Sequence, residues 1–101
     1  MAEPLTGKQI RQLRSMANTL KATLIIGKEG VGAGTAKQAS EALEAHELIK
    51  CSVLDAACAD TRDVANDLAE RVDANVVQMI GHKFVLYRAS SRDDVERIEL
   101  V

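Results

Sequence analysis

At 101 residues, 47% of them apolar, the chain has the size of one domain and enough nonpolar mass for a core without staples. A net charge of -2 argues against a uniformly basic nucleic-acid binder, and Phe84 and Tyr87, the only aromatic residues, exclude a surface of stacked rings. No apolar run reaches the roughly 18–20 residues of a membrane span. Met1-Ala2-Glu3-Pro4 lacks a secretory layout, and Cys51 and Cys58 are too few for a disulfide framework, so reduced thiols and a cytoplasmic location are expected.

Thr6 opens the first predicted helix, and Gln9 three residues later completes a capping-box pattern. Leu5, Ile10, Leu13, Met16 and Ala17 recur at helical spacing as a core face. Lys8, Arg11 and Arg14 fall on the opposite arc, about 60° apart in succession. Asn18 and Thr19 end this helix. Thr23-Leu24-Ile25-Ile26 reads as a short buried strand, stopped by Gly27. The stretch from Gly27 to Gly34 holds four glycines, the signature of a constrained loop.

A second helix is predicted from about Gly34 to Ala45, with Ala36, Ala39 and Leu43 inward. His46 closes it, in a position where a histidine often caps carbonyls. Leu48 to Leu54 reads as a second strand containing Cys51. Asp60 or Thr61 caps a third helix running to about Val72, whose inner face is Val64, Ala65, Leu68, Ala69 and Val72. Asn75–Ile80 and Phe84–Arg88 read as two strands joined by Gly81-His82-Lys83, a hairpin signal that leaves His82 solvated. Residues 89–101 are predicted to be a loosely held tail after a single domain over 1–88. The order is α-β-α-β-α-β-β, an α/β (α+β two-layer) fold with a mixed four-stranded sheet. Its first two strands pair in parallel across a helix, and the closing hairpin is antiparallel.

The charge is unevenly distributed. Residues 7–37 carry six bases (Lys8, Arg11, Arg14, Lys21, Lys28, Lys37) against one acid, Glu29, giving +5. From residue 51 onward six bases face ten acids, giving -4. Salt screens beyond roughly 8–10 Å, so a polyanion responds to the local field and not to the sum.

Enzymatic constellations are missing from the pattern. A P-loop needs Gly-x4-Gly-Lys-Ser/Thr, but Gly27-Lys28 is followed by Glu29. Gly30-Val31-Gly32, with Asp55 further on, supplies half of a dinucleotide fingerprint, yet Thr35 stands where the third glycine belongs and the chain is too short for that fold. His46 and His82 are the only histidines, and Asp63, Asp67 and Glu70 form a solvated helix face. The chain therefore reads as a non-enzyme, with no cofactor, no metal and no small-molecule substrate.

Gly27-Lys28-Glu29-Gly30 remains: a Gly-x-x-Gly turn with a cation at its tip. Glycine permits positive φ and removes the Cβ that would hold a nucleotide strand away. Freed backbone N–H groups beside a helix start suit phosphate. A Gly-x-x-Gly loop clamps backbone nucleotides in KH domains. Alone, the tetrapeptide is a weak signal and reads first as a tight strand-to-helix turn; the +5 region around it turns the reading toward RNA.

Four blocks resemble the CRM domain, represented in prokaryotes by stand-alone YhbY-type proteins: Leu5-Thr6-Gly7-Lys8-Gln9, Ile26-Gly27-Lys28-Glu29-Gly30, His46-Glu47-Leu48-Ile49-Lys50, and Gln78-Met79-Ile80-Gly81 ahead of Val85-Leu86-Tyr87-Arg88. The likeness covers roughly Leu5 to Arg88. It implies a fold like the C-terminal domain of translation initiation factor three with an added N-terminal helix. It also implies RNA binding through the loop and association with precursors of the large ribosomal subunit. Gly27, Lys28, Glu29 and Gly30 match the loop, while the basic first helix and Lys50 match regions expected to face RNA. Lys8, Arg11, Arg14 and Lys21 are expected to neutralise phosphates alongside Lys28, with Lys50, Lys83, Arg88 and His46 as neighbours. The acidic third helix then has to face away. The rival expectation is a protein–protein adaptor docking on a ribosomal protein or assembly factor.

Overall fold

A computed structural model of the protein describes residues 4–27, 31–54, 60–92, 94 and 98–101. The elements are α1 (Gly7–Ala17), β1 (Leu24–Ile26), α2 (Ala33–His46), β2 (Leu48–Val53), α3 (Thr61–Val72), β3 (Asn75–Ile80) and β4 (Lys83–Tyr87). This is the expected order. Side-chain caps fix the starts of two helices. The Gln9 N–H donates to Thr6 Oγ1 at 3.2 Å and the Thr6 N–H donates to Gln9 Oε1 at 3.0 Å, a closed capping box. Asp60 caps α3 by accepting the Arg62 N–H at 2.9 Å.

The four strands form one sheet in the order β1-β2-β4-β3. β1 runs parallel to β2, with Leu24 opposite Cys51 and Ile26 opposite Val53. β4 is antiparallel to both β2 and β3. The second strand of the hairpin thus inserts beside β2 and leaves β3 at the edge. Burial explains the choice: Phe84, Val85, Leu86 and Tyr87 are all buried, and an inner strand covers both of its faces most completely.

Strand alternation sends two sets of side chains to two faces. Ile49, Cys51, Val53, Phe84 and Leu86, with Leu24 and Ile26, pack against α2 and α3 through Ala39, Leu43, Val64, Ala65, Leu68 and Val72. Leu48, Val77, Val85 and Tyr87 pack against Leu13 and Ala17 of α1. Ile10 and Leu5 are half-buried as the periodicity predicts, but Met16 is 39% exposed and lines a groove instead of the core. Burial pushes the Cys51 thiol up to about 12, so this cysteine is a core residue.

The described part of the tail is not loosely held. Glu47, only 1% exposed, accepts the Ser90 N–H at 2.5 Å and the Ile98 N–H at 2.6 Å with its two carboxylate oxygens. Glu44 accepts the Ser91 N–H at 2.8 Å and the hydroxyls of Ser90 and Ser91 at 2.9 Å each. Gln12 of α1 accepts the Val101 N–H, and Ile98 and Leu100 pack on the α1 core. The expectation failed because the residues that hold the segment, Glu44 and Glu47, lie more than forty positions away and read as surface acids.

Candidate nucleic-acid interface

The side of the sheet under α1 is only partly covered. Pairing across β2, β4 and β3 arranges its side chains in rows. The rear row is Leu48, Tyr87 and Asn75; the middle row is Lys50, Val85 and Gln78; the front row is Ser52, Lys83 and Ile80, extended by Ile25 of β1. α1 starts over the rear of the sheet, where Leu5 and Gln9 lie near Asn75 and Tyr87, and ends at Asn18 beside Lys50, Gln78 and Lys83. In the two forward rows Val85 stays buried under α1, while Lys50, Ser52 and Gln78 are part-exposed and Lys83 and Ile80 exposed. Ile25 and Ile80 are 62% and 64% exposed.

Lys50 and Lys83 stand on diagonal positions of adjacent strands, about 7–8 Å apart at the backbone. Neither side chain forms an ion pair or hydrogen bond with another described residue. Arg14 approaches the same area from α1: its Nε donates to the Val77 carbonyl at 3.2 Å, anchoring the guanidinium at the β3 side of the helix. Arg11 and Lys8 continue outward along the exposed side of α1. Lys8, Arg11, Arg14, Lys50 and Lys83 therefore follow one another from the outer face of the helix to the open sheet.

Gly27 leaves β1 at this front end. The Leu54 N–H donates to the Ile26 carbonyl at 2.9 Å and the Val53 N–H to the His82 carbonyl at 2.7 Å, which brings the end of β1, the end of β2 and the hairpin turn together. Gly27 does not adopt the positive φ expected of it; among described glycines only Gly81 does, at 56°. Among the described residues a Cβ on Gly27 would meet nothing closer than Leu54 Cδ1 at 4.0 Å, so their packing does not demand a glycine there. Lys28, Glu29 and Gly30 lie outside the described residues, as do Asp55 and Cys58.

Three expected site residues separate from this face. Arg88 is internal. Its Nη1 donates to the Val72 carbonyl at 2.8 Å and its Nη2 to the Ser40 carbonyl at 3.0 Å, with Glu44 Oε1 at 3.3 Å. It ties α3 to α2, and its guanidinium is unavailable to a ligand on the open face. Lys21 lies on the opposite flank of α1, along a groove shared with Met16, Thr19 and Glu99. His46 lines that groove too. The end of α2 is closed by backbone instead, with the N–H of Glu47, at φ 64°, donating to the Leu43 carbonyl. His82 is exposed, as expected.

α3 packs on the far side of the sheet, where Asp63, Asp67 and Glu70 are exposed. Asp67 pairs with Arg71 at 2.9 Å. The sequence asymmetry thus becomes a spatial one, with cations on the α1 side and carboxylates of α3 behind the sheet.

The CRS1 / YhbY (CRM) domain family matches residues 5–88. This chain belongs to the CRM-domain family. A 96-residue match to the Bacillus subtilis protein named Probable RNA-binding protein YqeI is 47% identical and covers 95% of this chain and 98% of that one. A Haemophilus influenzae protein named RNA-binding protein is 33% identical over 92 residues, covering 91% of this chain and 93% of its own. The solution structure of a hypothetical Staphylococcus aureus protein, described as a candidate RNA binder, superposes with a TM-score of 0.75 at 38% identity and covers 94% of this chain and 100% of that one. As a CRM domain, the chain places the ends of its family match at Leu5, on the α1 core, and at Arg88, the tie between the helices. The clasped tail lies beyond that match.

Proposed function

We propose that this CRM-domain protein is a non-catalytic RNA binder that works in the cytoplasm on ribosomal RNA in precursors of the large ribosomal subunit. What supports the RNA reading is that Lys50 and Lys83 stand side by side on the sheet face under α1, the helix that carries Lys8, Arg11 and Arg14, while the acidic α3 packs on the other face and Gly27 lies at the front edge. Its relatives are named as RNA-binding proteins, which supports the same partner. Lys28 and Gly30 belong to this proposal through the Gly-x-x-Gly pattern. The acidic back directs a polyanion to one side only.

Filter binding to structured ribosomal RNA tests the site. Five neutralised phosphates give a slope of log K against log[salt] of roughly -3.5 to -4.5. Lys50→Ala with Lys83→Ala reduces the slope by about 1.5. Gly27→Ala is sharper still: the protein has room for the methyl group, so it folds normally, yet the variant loses RNA affinity because the added Cβ obstructs the backbone approach. Unchanged affinity in Gly27→Ala and in Arg11→Glu with Lys28→Glu removes the site. Sedimentation of cell extract tests the assembly role. Co-migration with large-subunit precursors is expected, and migration with proteins free of RNA favours an adaptor.

A further inference from the structure

The forward half of the sheet contains a concavity that the backbone-binding reading leaves unused. It has a volume of about 230 Å³ and is lined by Asn18, Lys50, Gln78, Ile80, Lys83 and Val85, together with Phe84. We infer that this concavity receives a single unpaired RNA base, read by the carboxamides of Gln78 and Asn18, while Lys50 and Lys83 hold the phosphates on either side. The inference rests on the RNA-binding reading and adds a ligand class to it: RNA with a bulged or looped-out nucleotide.

A backbone irregularity creates the pocket. Val76 pairs with Leu86 and Gln78 with Val85, so β3 carries one extra residue, Val77, at this point. Strict alternation from Val77, which is buried under α1, would send Gln78 to the α2/α3 face. The bulge puts Val77 and Gln78 on the same face, one into the core and the other into the open concavity. The bulge seats Val77 in the α1 core and offers its carbonyl to Arg14, but the Gln78 side chain it turns into the cleft reaches no hydrogen-bond partner among the described residues. Asn18, at the end of α1, also has no side-chain partner among them.

The lining fits a base better than its alternatives. Its size falls below the roughly 300 Å³ at which sites for drug-sized ligands begin, so it suits a fragment with one ring system. Ile80, which is exposed, offers an aliphatic wall to a ring face. Two carboxamides offer paired donors and acceptors, the arrangement that recognises base edges. No carboxylate among the described residues lines the space, and two lysines do, which favours a ligand carrying negative charge on both flanks.

The test uses two RNA hairpins of identical stem and loop, one fully paired and one with a single bulged adenosine, titrated at low salt by fluorescence anisotropy. The wild-type protein is expected to favour the bulged hairpin by at least about fivefold. Gln78→Leu, which keeps the volume and removes the amide, is expected to abolish that preference while leaving affinity for the paired hairpin unchanged. Asn18→Ala, on an exposed position, gives a second reading that cannot be attributed to misfolding. Equal wild-type affinity for the two hairpins, or a preference that survives both substitutions, overturns the base pocket and leaves RNA binding standing. Failure to bind either hairpin overturns both.

Discussion

Replacing Glu47 by Gln removes one acceptor from the most buried polar group among the described residues. The carboxylate receives the Ser90 N–H at 2.5 Å and the Ile98 N–H at 2.6 Å, one on each oxygen. A carboxamide retains one oxygen and turns an NH2 group toward the other N–H. The loss is one charge-assisted hydrogen bond, about 1.5–3 kcal/mol, with a donor left facing a donor. A domain of this size has roughly 5–15 kcal/mol in all. With a urea slope of about 1–1.5 kcal/mol/M, the midpoint is expected to fall by about 2 M. If the tail alone lets go, the midpoint falls less, and the Ser90 and Ile98 amides exchange rapidly with solvent. A midpoint and an exchange pattern both identical to wild type refute the clasp. Glu47→Gly should cost less than Glu47→Ala, because Glu47 holds φ 64° and glycine relieves roughly 1 kcal/mol of that strain.

Arg88→Ala should destabilise by about 2–4 kcal/mol in urea titration and leave the RNA salt slope unchanged, because its guanidinium serves the carbonyls of Val72 and Ser40. The bonds from Ser91 and Ser90, with Arg88 nearby, hold the Glu44 carboxyl below its ordinary value of 4.5. A lowered folded-state pKa stabilises above the unfolded value and is lost as pH falls through the folded one. The wild type should therefore lose more stability than Glu44→Gln when urea midpoints are compared between neutral pH and a pH below the ordinary carboxylate range. Cys51, raised to about 12 and fully buried, should resist alkylation under mildly alkaline conditions in the native protein and react once urea unfolds it, as read by peptide mass mapping.

The elements were legible because each carries a local signal: the Thr6/Gln9 box, the β-branched run before Gly27, and the apolar stripe of α3. The basic face was legible in part. Lys8, Arg11 and Arg14 share an arc of one helix, which periodicity reveals, but the convergence of Lys50 and Lys83 depends on β4 inserting beside β2. Helical or strand spacing says nothing about that choice. Arg88 looked like one more surface cation, and only the crossing of α2, α3 and β4 shows its carbonyl partners. The β3 bulge left no mark either, since Val76-Val77 reads as two ordinary strand residues. The tail failed for the same reason as Arg88: its anchors act across 43 to 51 positions of chain.

β1 contributes only Leu24–Ile26 to the sheet and has no strand on its outer side among the described residues. On this edge, as opposed to the six-residue β3 edge, a second molecule adding a strand would find three residues to pair with, too few to hold an intermolecular ladder in water. The exposed Ile25 is thus prevented from becoming the seed of a fibre, and a sticky side chain can remain in solvent on a stretch of backbone too short to template another chain.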